Sequence, residues 1–465
     1  MERLSGLDAT FLYVETPSHH MHVAMTMILD PSTMPQGYSF ESIKEFIGAR
    51  LHLVPPFHRR LLQVPFRLHH PIWVDDPDFD IDYHVRRIAA PSPGGPRELA
   101  ELAGQIASHQ LDRSKPLWEL WVIEGLEHGH VGVVTKVHHC AIDGTSGAEL
   151  MVHLFDLEPV VADLDAAPER PAERIPTDLE LVGHAAVSRA RRSLNLLPQI
   201  GRTVRAVANV VQNRRSPEGL VGAVPLTAPR TPWNASITPH RRTGFARVSL
   251  DEVKAVKNAL DATVNDVVLA ICAGTLRRYL EAHDALPSEP LLAVCPISVS
   301  ADGEGGSNGN KVSAMFTSLA TDVDDPVERL RAIQRVTRGA KEEHNALGAT
   351  MLVNWAEWAA PTTFVLASRL YSSLGLASSH RPIHNVIISN VPGPQFPLYY
   401  AGAQLVAAYP MGPVMEGAGL NITVMSYRNS VDFGFMVCRE LIPDVWDMAA
   451  QVEPSFAELK KAADI

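Results

Sequence analysis

Within residues 136–147, KVHHCAIDGTSG, two histidines, a carboxylate and two glycines fall in ten positions. Imidazole takes up a proton near neutral pH, and a positioned general base supplies roughly 10²–10⁴ in rate. His139 stands where an apolar run gives way to a glycine turn, a place from which a side chain can be presented to a cleft. Asp143, four residues on, is placed to fix the turn or the ring tautomer, and Gly144 permits a backbone path that a Cβ would block. Other chemistries compete for the same residues. A nucleophile elbow needs GxSxG, and Gly144-Thr145-Ser146-Gly147-Ala148 breaks it at the last position. Cys140, next to His139, would point to the opposite face of a strand and reads as a small packed hydrophobe. His138, His139 and Asp143 as metal ligands find no HExxH pattern and no second cluster in support. A satisfied pair of buried histidines is the bland alternative.

Several elements must position this stretch. Residues 117–126 and 130–139 are rich in valine and aromatics and are parted by Glu127-His128-Gly129, which predicts adjacent strands. Residues 96–113 place Leu99, Leu102, Ile106 and Leu111 at helical spacing behind a first-turn proline, and 145–158 read as a second helix. The histidines therefore sit at a strand end, before a tight turn and a helix start. Further on, strands are expected at 243–250, 291–300, 311–321, 385–393, 420–427 and 431–437, with helices at 251–260, 263–282 and 326–343. Strands and helices mix without strict alternation, which favours a mixed α/β sandwich in each lobe.

At 465 residues the chain exceeds what one hydrophobic core supports, so two lobes are expected. The boundaries read as an N-terminal lobe over 1–156, a connecting region over 157–217 and a C-terminal lobe over 218–465. The connecting region begins proline-rich and acidic. It then turns into 184–216, with seven arginines, no acids and apolar residues at helical intervals, which reads either as a packed helix or as a basic amphipathic segment on an anionic lipid surface. With 46% hydrophobic and 20% charged residues the chain is a folded globular protein. A net charge of −11 argues against nucleic acid as a partner. Cys140, Cys272, Cys295 and Cys438 form no CxxC pair, which suits a reducing cytosol, and the acidic N-terminal stretch is unlike a secretory signal. No apolar run is long enough for a spanning helix, so a soluble or membrane-peripheral protein is expected. Residues 305–311, GGSNGNK, lack the P-loop pattern.

The set LSGLDATFLYVE (4–15), HMHV (20–23), PLWE (116–119), HHCAIDG (138–144), NDVVLA (265–270), SNVPGP (389–394) and DFGF (432–435) runs nearly end to end. In that order it resembles the bacterial wax ester synthase/diacylglycerol acyltransferase family, within the HHxxxDG acyltransferases, most of all the triacylglycerol synthases of mycobacteria and related actinobacteria. The resemblance implies a two-lobed chloramphenicol acetyltransferase-like fold with an active-site tunnel between the lobes. It implies His139 as the general base on an acceptor hydroxyl that attacks an acyl-CoA thioester directly, with His138 and Asp143 as supports, Asp143 through an arginine, and with Gly144 in the motif's turn. Asn265 would stabilise the oxyanion or hold the acceptor, and Asp266 would brace its helix. Pro116, Leu117 and Trp118, like Asp432, Phe433 and Gly434, would be architecture, and His19, His20 and His22 would be structural or tunnel-lining rather than metal-binding. The implied partners are acyl-CoA, diacylglycerol or a long-chain alcohol, and a membrane or lipid-droplet surface on the cytoplasmic side, with neither metal nor prosthetic group. Two other functions remain open at this point: transfer from a carrier-protein thioester or to another alcohol, and a non-catalytic lipid or acyl-CoA binding protein.

Overall fold

The computed structural model describes residues 2–142, 147–161, 174–184, 227–298, 312–347 and 361–465. Asp143 and Gly144, the segment 185–216 and the loop 305–311 lie outside the described residues.

The N-terminal half contributes β1 (Glu2–Arg3), α1 (Gly6–Val14), β2 (His22–Asp30), α2 (Phe40–Arg50), β3 (Arg59–Leu62), β4 (Ile72–Asp75), α3 (Ile81–His84), β5 (Val85–Ala89), α4 (Pro96–Ala107), β6 (Trp118–Glu124), β7 (Val131–His138) and α5 (Gly147–Leu154). The C-terminal half supplies β8 (Arg241–Ser249), α6 (Leu250–Ala259), α7 (Val264–Ala282), β9 (Leu292–Ser298), β10 (Val312–Ser318), α8 (Pro326–Leu347), α9 (Pro361–Ser373), β11 (Val386–Pro392), β12 (Tyr399–Tyr400), β13 (Ala403–Met411), β14 (Leu420–Tyr427), β15 (Ser430–Cys438), α10 (Val445–Ala449) and α11 (Val452–Ala462).

Two six-stranded mixed sheets carry the lobes. The first runs β12-β13-β2-β7-β6-β5 and the second β10-β9-β11-β14-β15-β8; a small sheet, β1-β4-β3, flanks the first. Strands β6 and β7 are antiparallel, with Glu119 opposite Lys136 and Trp118 opposite Val137. Their aromatic and β-branched residues suit a sheet covered on both faces. The segment from Gly125 to Gly129 reverses the chain through left-handed conformations at Gly125, His128 and Gly129. In the second lobe α7 is apolar nearly all round from Val267 to Leu276 and lies at the centre of the core, with Val267, Ile271, Ala273 and Leu276 fully buried.

The order of the chain does not coincide with the membership of the sheets. Strands β12 and β13, where no strand was expected, fall within the 218–465 span read as the C-terminal lobe but hydrogen-bond into the first sheet, where β13 runs antiparallel to β2 from Gln404 opposite Asp30 to Met411 opposite Ala24. Without them β2 would expose a row of unpaired backbone groups along its edge. The crossing strand also presses on β15 of the other sheet. A Cβ at Gly434 would stand 2.1 Å from the Pro410 carbonyl oxygen, so only glycine fits there. Below this contact Arg247 clamps buried Asp432, which accepts from Arg247 Nε at 2.6 Å and from the Ala408 N–H at 3.2 Å.

Helix α4 is the second device that joins the lobes. It packs on β7 of the first lobe and β8 of the second, with Leu99, Ala103, Ile106, Val134, Phe245 and Met436 in one apolar cluster. The expected helix over 96–113 stops at Ala107, because its last carbonyls are taken by side chains. Lys136 Nζ donates to the carbonyls of Ile106 at 3.1 Å and His109 at 3.0 Å, and His22 Nε2 to that of Ala107 at 3.0 Å. Cations and imidazole donors suit the negative end of a helix.

Among the described residues no single helix is long and apolar enough to cross a membrane; α6 and α7 qualify by length and composition only as a pair bent by 102°, and α7 is buried in the core.

Candidate active site

The expected strand ends at His138, and His139–Ala141 form a 3₁₀ turn rather than continuing it. The two histidines consequently leave the sheet in different settings. His138 is 1% exposed, whereas His139 is half-buried.

His138 faces inward. The Cys140 N–H donates to its Nδ1 at 3.2 Å, which puts the ring proton of the neutral form on Nε2. That nitrogen lies 3.6 Å from Glu15 Oε2. Burial pushes the His138 pKa below its ordinary value, with Glu15 offsetting part of the effect. Burial alone would raise the Glu15 pKa, but neighbouring His138 and the Arg113 guanidinium outweigh it and hold the carboxyl down at about 2. Arg113 Nε donates to Glu15 Oε2 at 2.9 Å, and its Nη2 also reaches the carbonyl of Leu12.

His139 is held by its backbone and its ring face. Its N–H donates to the Met21 carbonyl at 2.7 Å, and its ring stacks on Phe11 with centroids 4.0 Å apart. Phe11 and Glu15 come from the same end of α1, four residues apart, so one helix face supports both rings. Ser5 caps that helix by accepting from the Asp8 N–H at 3.1 Å. The loop that supplies Met21 is tied to the second lobe, since Arg241 on β8 donates to the Ser18 carbonyl while its own N–H donates to Ser108 Oγ at 2.7 Å.

The neighbouring motifs are structural. Trp118 is sealed between Phe57 and His84, with ring centroids 4.7 and 4.6 Å away, and donates Nε1–H to the Phe57 carbonyl at 2.7 Å. Glu119 pairs with buried Lys136 at 3.1 Å. His20 and His22 donate to the carbonyls of Pro17 and Ala107, at 2.9 and 3.0 Å, and so serve the backbone. Cys140 is buried, and burial drives its thiol pKa well up, which leaves no thiolate for nucleophilic attack. Among the described residues no group of three or more His, Cys, Asp or Glu side chains is placed to hold a metal.

Asn265 stands on the first turn of α7, in the other lobe. Its Oδ1 accepts from Asn390 Nδ2 at 3.2 Å, on β11, which leaves the Asn265 amide N–H₂ as the group available to a ligand. Asp266 caps α7, accepting from the N–H of Thr263 at 3.0 Å and from its hydroxyl at 2.7 Å, and takes a third bond from Thr337 at 3.1 Å. A cavity of about 120 Å³, lined by Gly95, Leu99, Leu126 and His130 among others, lies at the far end of β7 from the histidines and has no part in this site.

Phe11 and Glu15 lie within LSGLDATFLYVE, but neither they nor Arg113 is singled out as a site residue by the sequence. The signal was the pair Phe11 and Glu15 at i and i+4 in a short helix, but nothing local marks an acid as buried.

Fold and site together define a two-lobed acyltransferase of the HHxxxDG type. Residues 4–268 match the wax ester synthase/diacylglycerol acyltransferase catalytic domain, and residues 308–460 match the C-terminal domain of the same family. The chain belongs to the wax ester synthase/diacylglycerol acyltransferase family. A relative from Mycobacterium tuberculosis named as a diacylglycerol O-acyltransferase is 39% identical, over 100% of this chain and 91% of its own length. Another from the same species with that designation is 35% identical over 100% of both. The solved wax ester synthase/diacylglycerol acyltransferase of Marinobacter aquaeolei is 31% identical and superposes over 100% of both chains with a TM-score of 0.70. The first condensation domain of the calcium-dependent antibiotic synthetase shares the fold, with a TM-score of 0.56 at 15% identity over 100% of this chain and 96% of that one.

Proposed function

We propose that this enzyme transfers a long-chain acyl group from acyl-CoA to the free hydroxyl of diacylglycerol, and to long-chain alcohols, by direct attack. The observation that carries the mechanism is the division between the histidines: His138 is sealed beside Glu15, while His139 is buttressed by Phe11 yet half-buried. A ring nitrogen of His139 takes the acceptor's hydroxyl proton as the oxygen attacks the thioester carbon. The carbonyl electrons move onto oxygen, where the Asn265 N–H₂ donates a hydrogen bond. The C–S bond then breaks, and the imidazolium returns the proton to the departing thiolate, giving ester and free CoA. Side chains and the two substrates balance this step, so neither metal nor prosthetic group is required. The greasy acceptor places the enzyme peripherally at a lipid surface on the cytoplasmic side, a reading supported by the arginine-rich composition of 184–216.

The test offers purified protein one labelled acyl-CoA with diacylglycerols, long-chain alcohols and short soluble alcohols in turn. Triacylglycerol and free CoA are expected in equal amounts. Turnover only with a carrier-protein thioester, or tight acyl-CoA binding without ester formation, would replace this function. Asn265→Ala is expected to lower kcat by about 10²–10³-fold with KM nearly unchanged, as for loss of one oxyanion donor. Asn390→Ala is expected to lower kcat less, and Asn390→Gln to restore part of it. An equal change in KM for all three would assign Asn265 to acceptor binding instead.

A further inference from the structure

Helix α9 belongs by chain order to the second lobe but packs on α1, the helix that carries Phe11 against His139. Val365 faces inward and joins the core of the first lobe. Leu366, Leu370 and Leu374 face the other way, 68%, 52% and 62% exposed. Spaced four apart, these leucines form one line along the helix. Leu376 and Ile383 carry the apolar surface beyond the helix end.

Among the described residues, arginines edge this line. Arg369 is exposed within it and has no acidic partner among the described residues. Arg381 meets Glu289 at 3.5 Å, but both side chains are more than half exposed, so water screens the pair. From Pro361 to His384 there is no Asp or Glu, in a chain whose net charge is −11. The nearby carboxylate Glu416 is turned inward and accepts from Ser372 at 3.2 Å. An apolar line edged by arginines suits a surface that is both oily and negative. A second copy of this chain fits poorly, because a two-fold contact through α9 would set Arg369 near its own counterpart.

We infer that the outer face of α9 docks on an anionic phospholipid surface and brings the lipid acceptor to the helix beside His139. This rests on the proposed lipid acceptor only for its purpose; the docking itself is independent of turnover. It adds a docking face to any contact made by 184–216 and does not depend on that segment.

The experiment uses the full chain with vesicles of phosphatidylglycerol or of phosphatidylcholine. The triple variant Leu366→Ser/Leu370→Ser/Leu374→Ser is expected to bind phosphatidylglycerol vesicles at least tenfold more weakly, with turnover of a short soluble alcohol unchanged. In a second measurement Leu370→Cys carries an environment-sensitive maleimide dye; the four native cysteines are buried, so the label goes to position 370. Its emission is expected to shift to the blue with phosphatidylglycerol and not with phosphatidylcholine. Wild-type vesicle affinity in the triple variant together with a silent dye would overturn the docking face and return the contact to other segments. So would a blue shift that tracks protein concentration without lipid, the sign of self-association. Loss of soluble-alcohol turnover in wild-type protein would strike the catalytic reading and leave the docking result standing.

Discussion

Replacing His139 by alanine is expected to lower kcat by about 10²–10⁴-fold, the range a positioned general base supplies, while the thermal midpoint stays close to wild type. The stability expectation follows from position. The ring is half-buried at the start of a 3₁₀ turn and stacks on one face of Phe11, so truncation opens no sealed cavity. The backbone bond to Met21 survives the change, because it uses the main-chain N–H. His138→Ala should behave in the opposite manner: it removes a fully buried ring and leaves Glu15 without its imidazole neighbour, so stability falls along with rate. Steady-state kinetics and thermal unfolding on both variants decide the matter. Wild-type turnover in His139→Ala would remove the ring from the mechanism.

Arg113→Ala is expected to destabilise the fold by about 3–5 kcal/mol at neutral pH, the cost of leaving a buried carboxylate without its cation. The Glu15 side chain is 3% exposed and cannot turn to water, whereas Arg113 is 43% exposed and can. Removal of the acid is accordingly the milder change, and Glu15→Gln should cost less than Arg113→Ala. The pH dependence has a definite sign. The folded carboxyl sits at about 2, below its ordinary value of 4.5. Its contribution is therefore complete above pH 4.5 and is lost as the pH falls towards 2. The gap in thermal midpoint between wild type and Arg113→Ala should narrow across that window, and a gap that widened on acidification would place the carboxyl elsewhere. Catalysis should suffer too. Glu15 and Phe11 share one end of α1, and displacement of the His139 ring by about 1 Å is enough to cost up to ~10²-fold in rate.

Much of the architecture was legible because the signals are local. Strands β6 and β7 announce themselves through valine and aromatics, α7 through its long, mostly apolar first half, and α4 through its first-turn proline. The end of α4 was misjudged by several residues, since its termination depends on Lys136 and His22 arriving from other strands. Strand β13 was not expected as a strand, and its membership of the first sheet is illegible for a similar reason. Its pairing with β2 joins residues more than 370 apart, and no periodicity within either strand records its partner.

By itself the sequence determined that this chain carries an imidazole at a strand end before a glycine turn, amid enough apolar residues for two mixed α/β lobes. Spacing and side-chain chemistry suffice for that, because helix and strand periods and proton affinity are properties of short stretches. Only the tertiary structure decided which histidine is sealed and which stays half-buried. The choice is made by a carboxylate from α1, an arginine beyond α4 and a backbone carbonyl from the loop ahead of β2. Burial, which converts those residues from solvated charges into a rigid support, arises when distant segments exclude water together.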